Sequence, residues 1–563
     1  MGCVPRGAIA ESLAEGSIEA QDQSRRHATA DDGQPWAAMV AVALVAAVLC
    51  EAWLKFYSYQ DDAFIFFRYA ENALSGRGLV FNPGERVEGF SSPLWLLLLV
   101  LAGAAGLSPL HAAGIFGTLA TLAVVLLSLR DARRCGPPGP LSLLAPVGLV
   151  LFFPFMAWSV SGMETPLFAA LLWGAISGHR IARAEARRPA RDVGFCLAGA
   201  LLARPEAVLL VLAFLADEIA AARSSESGEP RKREASAGLA ARLSWLLPAL
   251  LAGAGLLAAR LIYYGALLPN TFYAKLGGGA VHAGLGLRYL GHFAIAAPLS
   301  WPAALLLVPR FARRVPGGLA ALVLVALWSL NLVWLGGDHF PYHRFLVPLA
   351  PLLFALGAKG LHEAWSSLAP HIAVGRRRPL GTALLLGCFG VVAVAAPDPA
   401  LGRTQHGFDW TLASARLGQR LAATLPPSTV VALPHIGAVG YYSRLPVLDL
   451  LGLIDRDLAR RPRGRTAGAL SGFNDIGHEC FDIAWSLARR PAVIVPSRTY
   501  GSNPFTSLSE LRPDFRAEAL LFEALGRSGD YRLIDVPIGD GAVWALFLRR
   551  DLDEKLLMAP VLR

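Results

Sequence analysis

The chain has 563 residues, 54% hydrophobic and 17% charged, with a mean hydropathy of +0.46; an average soluble domain carries about 25% charged residues, so this composition describes a polytopic membrane protein. Its net charge of +10 does not mark a nucleic-acid binder, because Arg and Lys sit in short clusters between apolar segments and not in one aromatic-laced patch. The six cysteines (Cys3, Cys50, Cys135, Cys196, Cys388, Cys480) are scattered, which excludes a disulfide framework in the C-terminal region and any cysteine metal motif.

Residues 1–35 are polar and expected to be a disordered cytoplasmic tail. Arg6 stands where a myristoylation signal needs Ser or Thr, and Arg25-Arg26 is a poor twin-arginine signal. The apolar stretch from Trp36 to Tyr57 lacks a small-residue cleavage site and is long enough for a retained span, which needs about 20 residues. Then comes QDDAFIFFRYAENALSGRGLVFNPGE, where Phe64, Phe66, Phe67, Tyr69, Ala70 and Leu74 oppose Arg68 and Glu71 as in an amphipathic interfacial helix. Gly76-Arg77-Gly78 stops that helix and Asn82-Pro83-Gly84 makes a turn. Pro93 to Gly106 is too short to cross and reads as re-entrant or interfacial.

Short basic loops prefer the cytoplasm. Five of them, Arg130 to Arg134, Arg180 to Arg191, Arg231 to Arg242, Arg310 to Arg314 and Arg376 to Arg378, divide the rest of the apolar region. Leu141 to Trp158 and Pro166 to Ile181 form one hairpin, with Ser161 to Thr165 at its outer tip. Val193 to Asp217 reads as two half-helices broken at Arg204-Pro205-Glu206. Leu243 to Tyr264 pairs with Tyr289 to Pro309 around YYGALLPNTFYAKLGGG, and Gly318 to Gly336 pairs with Phe345 to Leu361 around GGDHFPYHR. A last span, Leu380 to Ala396, delivers the remainder outside, so every polar motif falls on the outer face. From Pro397 the pattern becomes α/β, with a helix near Asp409 to Leu425, strands at Thr429 to Leu433 and Ala492 to Pro496, a helix at His478 to Arg490, and late strands at Tyr531 to Ile538 and Val543 to Arg549. Its GAVG is too weak for a nucleotide loop.

Two adjacent carboxylates at a membrane edge, Asp61 and Asp62, are costly unless they are paired or functional, and N-capping needs only one. Sugar transfer there would use a base for the acceptor hydroxyl and cations for a lipid-phosphate leaving group. The two Asp could divide that work, or hold a hard divalent cation such as Mg, Mn or Ca through oxygen. Arg204, Lys275, Arg344 and Arg68 are the phosphate candidates. Glu88, Glu164, Glu206, Asn270, Tyr273, Asp338, His339, Tyr342 and His435 are the candidates for sugar or acceptor.

DDAFIFFRYAENALSGRGLVFNPGERVEGFSSPLW resembles the first external loop of membrane glycosyltransferases of the GT-C superfamily. It is most similar to the branch containing the terminal arabinofuranosyltransferase of mycobacterial cell-wall arabinan synthesis. SGMETPLF, LLARPEA, YYGALLPNTFYAK, GGDHFPYHRF and GAVGYYSRLPVLDLLGLIDRDLAR resemble further signatures of that branch in the same order, so the match covers most of residues 58–495. The resemblance implies a multi-pass plasma-membrane enzyme, a polyprenyl-phosphate-sugar donor, and inverting transfer on the extracytoplasmic face. It also implies a catalytic Asp at Asp61 or Asp62; the metal and the sugar stay open. The expected fold is a GT-C transmembrane domain over residues 36–397, with about 9 to 11 spans, short re-entrant helices and a first external loop at 58–92. A soluble α/β domain over 398–563 completes it. The alternatives are a lipid-carrier flippase or transporter, and a noncatalytic envelope-assembly factor.

Overall fold

A computed structural model describes residues 35–55, 59–187, 189–226, 243–275, 279–307, 315–395, 401–461 and 475–558. The expected disordered tail and the basic loops at Arg231 to Arg242 and Arg310 to Arg314 lie outside these residues. The chain from Val48 onward is one compact unit. Helix α1 is Pro35–Leu54, and the amphipathic stretch forms α2 (Asp61–Leu74), with its aromatic face buried. Short α3 (Pro93–Ala104) leads into long α4 (Pro109–Cys135), whose Ser108 hydroxyl accepts the His111 N–H as an N-cap.

Prolines then set the breaks. Helices α5 (Leu144–Leu151) and α6 (Phe153–Ser159) meet at 56°, with Phe152 extended between them and Pro154 unable to donate to the preceding turn. After α7 (Thr165–Ala184) come α8 (Arg191–Ala203) and α9 (Val208–Glu226), which part where Arg204, ahead of Pro205, is extended at φ −155°. The next helices are α10 (Leu247–Tyr264), the single turn α11 (Asn270–Ala274) and α12 (Ala280–Ala296). Here the structure departs from expectation: Tyr289 to Pro309 is not one span, because α12 ends at Ala296 and Pro298 and Pro302 hold the chain in 3-10 turns to Leu307. Helix α13 (Gly318–Leu335) is as expected, α14 (Ala350–Leu368) starts only after Pro348, and α15 (Val374–Ala395) carries Pro379 inside it.

Among the described residues, three helical segments, Pro109–Cys135, Ser244–Tyr264 and Gly318–Leu335, have the length and apolarity to cross a membrane. The bent α5 and α6 pair would make a fourth. Helix α10 leaves Leu247, Leu250, Leu251, Leu261 and Ile262 exposed, a face that water would not tolerate and lipid would.

The C-terminal part begins with α16 (Leu401–Thr424) and continues through β1 (Val431–Leu433), α17 (Ala438–Ser443), β2 (Val447–Asp449), α18 (Arg456–Arg460), α19 (Ile483–Ala488), β3 (Val493–Ile494), β4 (Tyr500–Gly501), α20 (Arg516–Ser528), β5 (Tyr531–Gly539) and β6 (Ala542–Arg549). Strands run in the order β2-β1-β3-β6-β4, and β5 pairs with β6. Strand β1 is parallel to β2 and β3, whereas β6 is antiparallel to β3. The β5 and β6 hairpin closes through Asp540 and Gly541, whose φ of 51° and 72° suit a two-residue turn that follows strand twist. Leu521, Phe522 and Leu525 of α20 pack on Ala432, Ile494 and Phe547 of the sheet. Because β2 and β3 flank β1 on opposite sides, the carboxyl end of β1 is a point where the winding reverses, and such points leave a crevice.

Candidate active site

The two carboxylates of α2 point to different places, as neighbours about 100° apart around a helix must. Asp61 is 6% exposed, and its two oxygens accept the Gly437 N–H at 3.0 Å and the Ala438 N–H at 2.7 Å. It therefore fills the start of α17, where free N–H groups gather. Burial pushes the Asp61 carboxyl up to about 7, while the two N–H bonds oppose that shift. Asp62 keeps 26% of its side-chain surface exposed, and its carboxylate lies 3.9 Å from Nη1 of Arg344.

Arg344 is held by Asp338 through two bonds of 2.9 and 3.0 Å. Arg204, at the break between α8 and α9, bonds Glu164 at 2.8 Å and Glu206 at 3.0 Å. The ring of Phe345 lies against both guanidiniums, 5.0 Å from Arg204 and 4.9 Å from Arg344. Phe168, Trp328 and Asn331 complete a small cleft around these groups. The Lys275 side chain, just after α11, makes no ion pair or hydrogen bond among the described residues, while its backbone N–H closes the turn on the Thr271 carbonyl. Burial pulls its ammonium below the usual range, Asp62 acts in the opposite direction, and Arg344 adds to the lowering.

Beside Lys275 stands a row of imidazoles. The His339 ring is 4.5 Å from that of His478, which stacks on Phe515 at 4.6 Å; His435 lies 5.5 Å from His478 and 5.1 Å from Trp410. His435 follows β1 by two residues, so it sits at the crevice where the winding reverses. Burial, and then the neighbouring His478, holds both His339 and His435 well below the usual imidazole range.

Several expected ligands are engaged elsewhere. Arg68 is a buried strap whose guanidinium donates to the carbonyls of Phe81 (2.9 Å), Leu445 (2.7 Å) and Gly440, so it is not turned toward a phosphate. Glu88 is 4% exposed and locked to Arg260 at 2.9 Å, which leaves its oxygens no room for a sugar. The Asn270 amide donates to the carbonyls of Gly452, Leu453 and Asp455. Tyr342 is buried at φ 61° against Phe153, and Tyr273 lies under the Arg460 guanidinium at 4.5 Å. In the Asp61 and Asp62 pair each Asp61 oxygen accepts one N–H group and Asp62 faces an arginine. Among the described residues no three His, Cys, Asp or Glu side chains converge on a metal-sized site.

Sequence reasoning missed Arg260, Asn82, Gly437 and Gly440. Asn82 exchanges two bonds with Val447, donating to its carbonyl at 2.8 Å and accepting its N–H at 3.0 Å. A Cβ at Gly437 would run into the Asp61 carbonyl, and one at Gly440 would lie 3.0 Å from the Phe81 ring. The GAVG stretch was visible in the sequence, but nothing there tied it to Asp61.

The chain is similar to terminal arabinofuranosyltransferases. It is 29% identical over 343 residues to the terminal beta-(1->2)-arabinofuranosyltransferase of Mycobacterium tuberculosis, covering 53% of this chain and 52% of that protein. It is 29% identical over 371 residues to the Corynebacterium glutamicum protein of the same name, covering 56% and 50%. The chain thus spans about half the length of the curated relatives it matches. The crystal structure of ArnT from Cupriavidus metallidurans in the apo state shares the fold at a TM-score of 0.50 and 15% identity, covering 93% of this chain and 99% of that one. ArnT bound to undecaprenyl phosphate gives a TM-score of 0.50 at 13% identity, covering 92% and 99%. Residues 403–546, from α16 to β6, match a family model described as a domain of unknown function, DUF8728.

Proposed function

We propose that this chain is a membrane glycosyltransferase of the GT-C type that moves one sugar, arabinofuranose or another pentose or hexose, from a polyprenyl-phosphate donor to a cell-envelope glycan or lipid-linked acceptor. The observation that carries the reading is Asp62, a partly exposed carboxylate facing Arg344 and the buried Lys275, whose side chain has no partner among the described residues, with Arg204 sharing the same aromatic cleft. Asp62 takes the proton of the acceptor hydroxyl. The freed oxygen forms a bond to the anomeric carbon as the bond from that carbon to the phosphate oxygen breaks. The electron pair leaves on the lipid phosphate, where Arg344, Lys275 and Arg204 offset the developing charge. One displacement inverts the anomeric centre.

The neutral imidazoles of His339 and His435 suit acceptor hydroxyls, since each can donate at one nitrogen and accept at the other. The 9 to 11 spans, the outward-facing site and the plasma-membrane location belong to the same proposal, supported by the exposed apolar faces and by the fold shared with ArnT. The names of the relatives and the undecaprenyl phosphate bound to ArnT favour this donor class.

The test is to purify the full chain in detergent and supply a panel of polyprenyl-phosphate pentoses and hexoses with candidate acceptors. Transfer with inverted anomeric configuration supports the reading; no transfer from any donor, with lipid movement or partner binding instead, sinks it in favour of a flippase or an assembly factor. The catalytic groups named here need no metal, so chelation with EDTA is expected to leave turnover unchanged, and a loss restored by Mg, Mn or Ca would contradict that. Because both imidazoles are held neutral, the acceptor KM is expected to stay flat from about pH 8 to about pH 6. A rise of tenfold or more in that window would mean that they titrate there.

A further inference from the structure

We infer that Asp61 is a positioning residue: it latches the C-terminal sheet domain onto α2 and thereby aims Asp62. This rests on the transferase reading above. Helix α17 is gripped at both ends by one face of α2. At its start the Gly437 and Ala438 N–H groups enter the Asp61 carboxylate. Toward its other end the carbonyls of Gly440 and Leu445 accept from Arg68, seven residues and so about two turns further along α2. At the start of α17 free N–H groups meet an acid, the match that a helix asks of its surroundings, and the carbonyls of Gly440 and of Leu445 just beyond the helix meet a base.

Three other contacts close the joint. The Tyr441 hydroxyl donates to Glu71 at 2.5 Å, its ring packs on Phe64 and Phe67, and Asn82 pairs with the backbone of Val447. Gly437 and Gly440 are what let the two helices approach this closely, since a Cβ at either would meet α2 or the loop after it. Asp62 is the next residue after Asp61, so any shift of the first turn of α2 moves it relative to Arg344 and Lys275. A misplacement of about 1 Å can cost a reaction about 100-fold.

The experiment compares the full chain with Asp61→Asn, Gly437→Ala and Asp62→Asn. An amide at position 61 still accepts one N–H but turns its own NH2 toward the other, so one of the two bonds is lost. Asp61→Asn and Gly437→Ala are each expected to lower kcat about 100-fold. Donor KM should change little, so the loss falls on kcat while the donor site stays intact. Amide hydrogen exchange should quicken at 437–443 and stay unchanged in β5 and β6, which separates a loosened joint from general unfolding. Asp61→Asn as inactive as Asp62→Asn, with exchange at 437–443 unchanged, would make Asp61 a group that meets substrate and overturn the inference. Full activity with faster exchange would overturn it too. An inert wild type sinks the transferase reading and takes this inference with it, whereas an active wild type beside a fully active Asp61→Asn sinks the latch alone.

Discussion

Asp62→Asn is expected to lower kcat by about 1,000-fold, within the range that a positioned general base supplies. The amide has the same shape as the carboxylate but cannot accept the hydroxyl proton, so the loss falls on the chemical step. Donor KM should stay level or fall, because removing a negative charge 3.9 Å from Arg344 leaves that guanidinium freer for the lipid phosphate. Steady-state kinetics with saturating acceptor make the measurement. If Asp62→Asn keeps more than a tenth of wild-type kcat, the proton goes elsewhere.

The second large effect is on stability. Arg260→Met should destabilise the protein by about 3–5 kcal/mol, the usual cost of leaving one member of a buried ion pair without its partner. Arg260 is 7% exposed and Glu88 is 4% exposed, with Nε and Nη2 of Arg260 within 3.0 Å of the carboxylate. The pair fastens α10 to the segment after α2. That segment is also held by the Asn270 N–H on the Glu88 carbonyl and by the Tyr69 hydroxyl on the Val87 carbonyl. The double variant Glu88→Gln with Arg260→Met should recover most of the loss, because no charge is then stranded. Thermal unfolding in detergent, followed by intrinsic tryptophan fluorescence, reads both variants. An unchanged midpoint in Arg260→Met would mean that the pair contributes nothing net.

The breaks in the chain were largely legible, because proline and glycine act locally. Arg204-Pro205 divides α8 from α9, and the segment from Ser161 begins between two helices as its composition suggests. The failure at Tyr289 to Pro309 has the same origin: apolarity alone suggested a span, and Pro298 and Pro302 prevent one. The site was legible as a set of polar motifs but not as a division of labour. Asp61 and Asp62 are adjacent in sequence, yet one meets a backbone 376 residues away and the other an arginine that is also far along the chain. Arg68, Glu88 and Asn270 looked like ligands because charged and amide groups bind ligands. Each spends that capacity on a carbonyl or an opposite charge distant in sequence, and no local pattern records such a partner.

Strand β2 is an edge of the sheet, and an edge strand exposes N–H and C=O groups that invite a stray strand. Here an asparagine from the membrane-associated part occupies that edge at Val447, much as a neighbouring strand would. The sheet domain is therefore not a portable module. Cut free of the residues before it, it would present an open edge and an empty helix start, and it should self-associate through that edge.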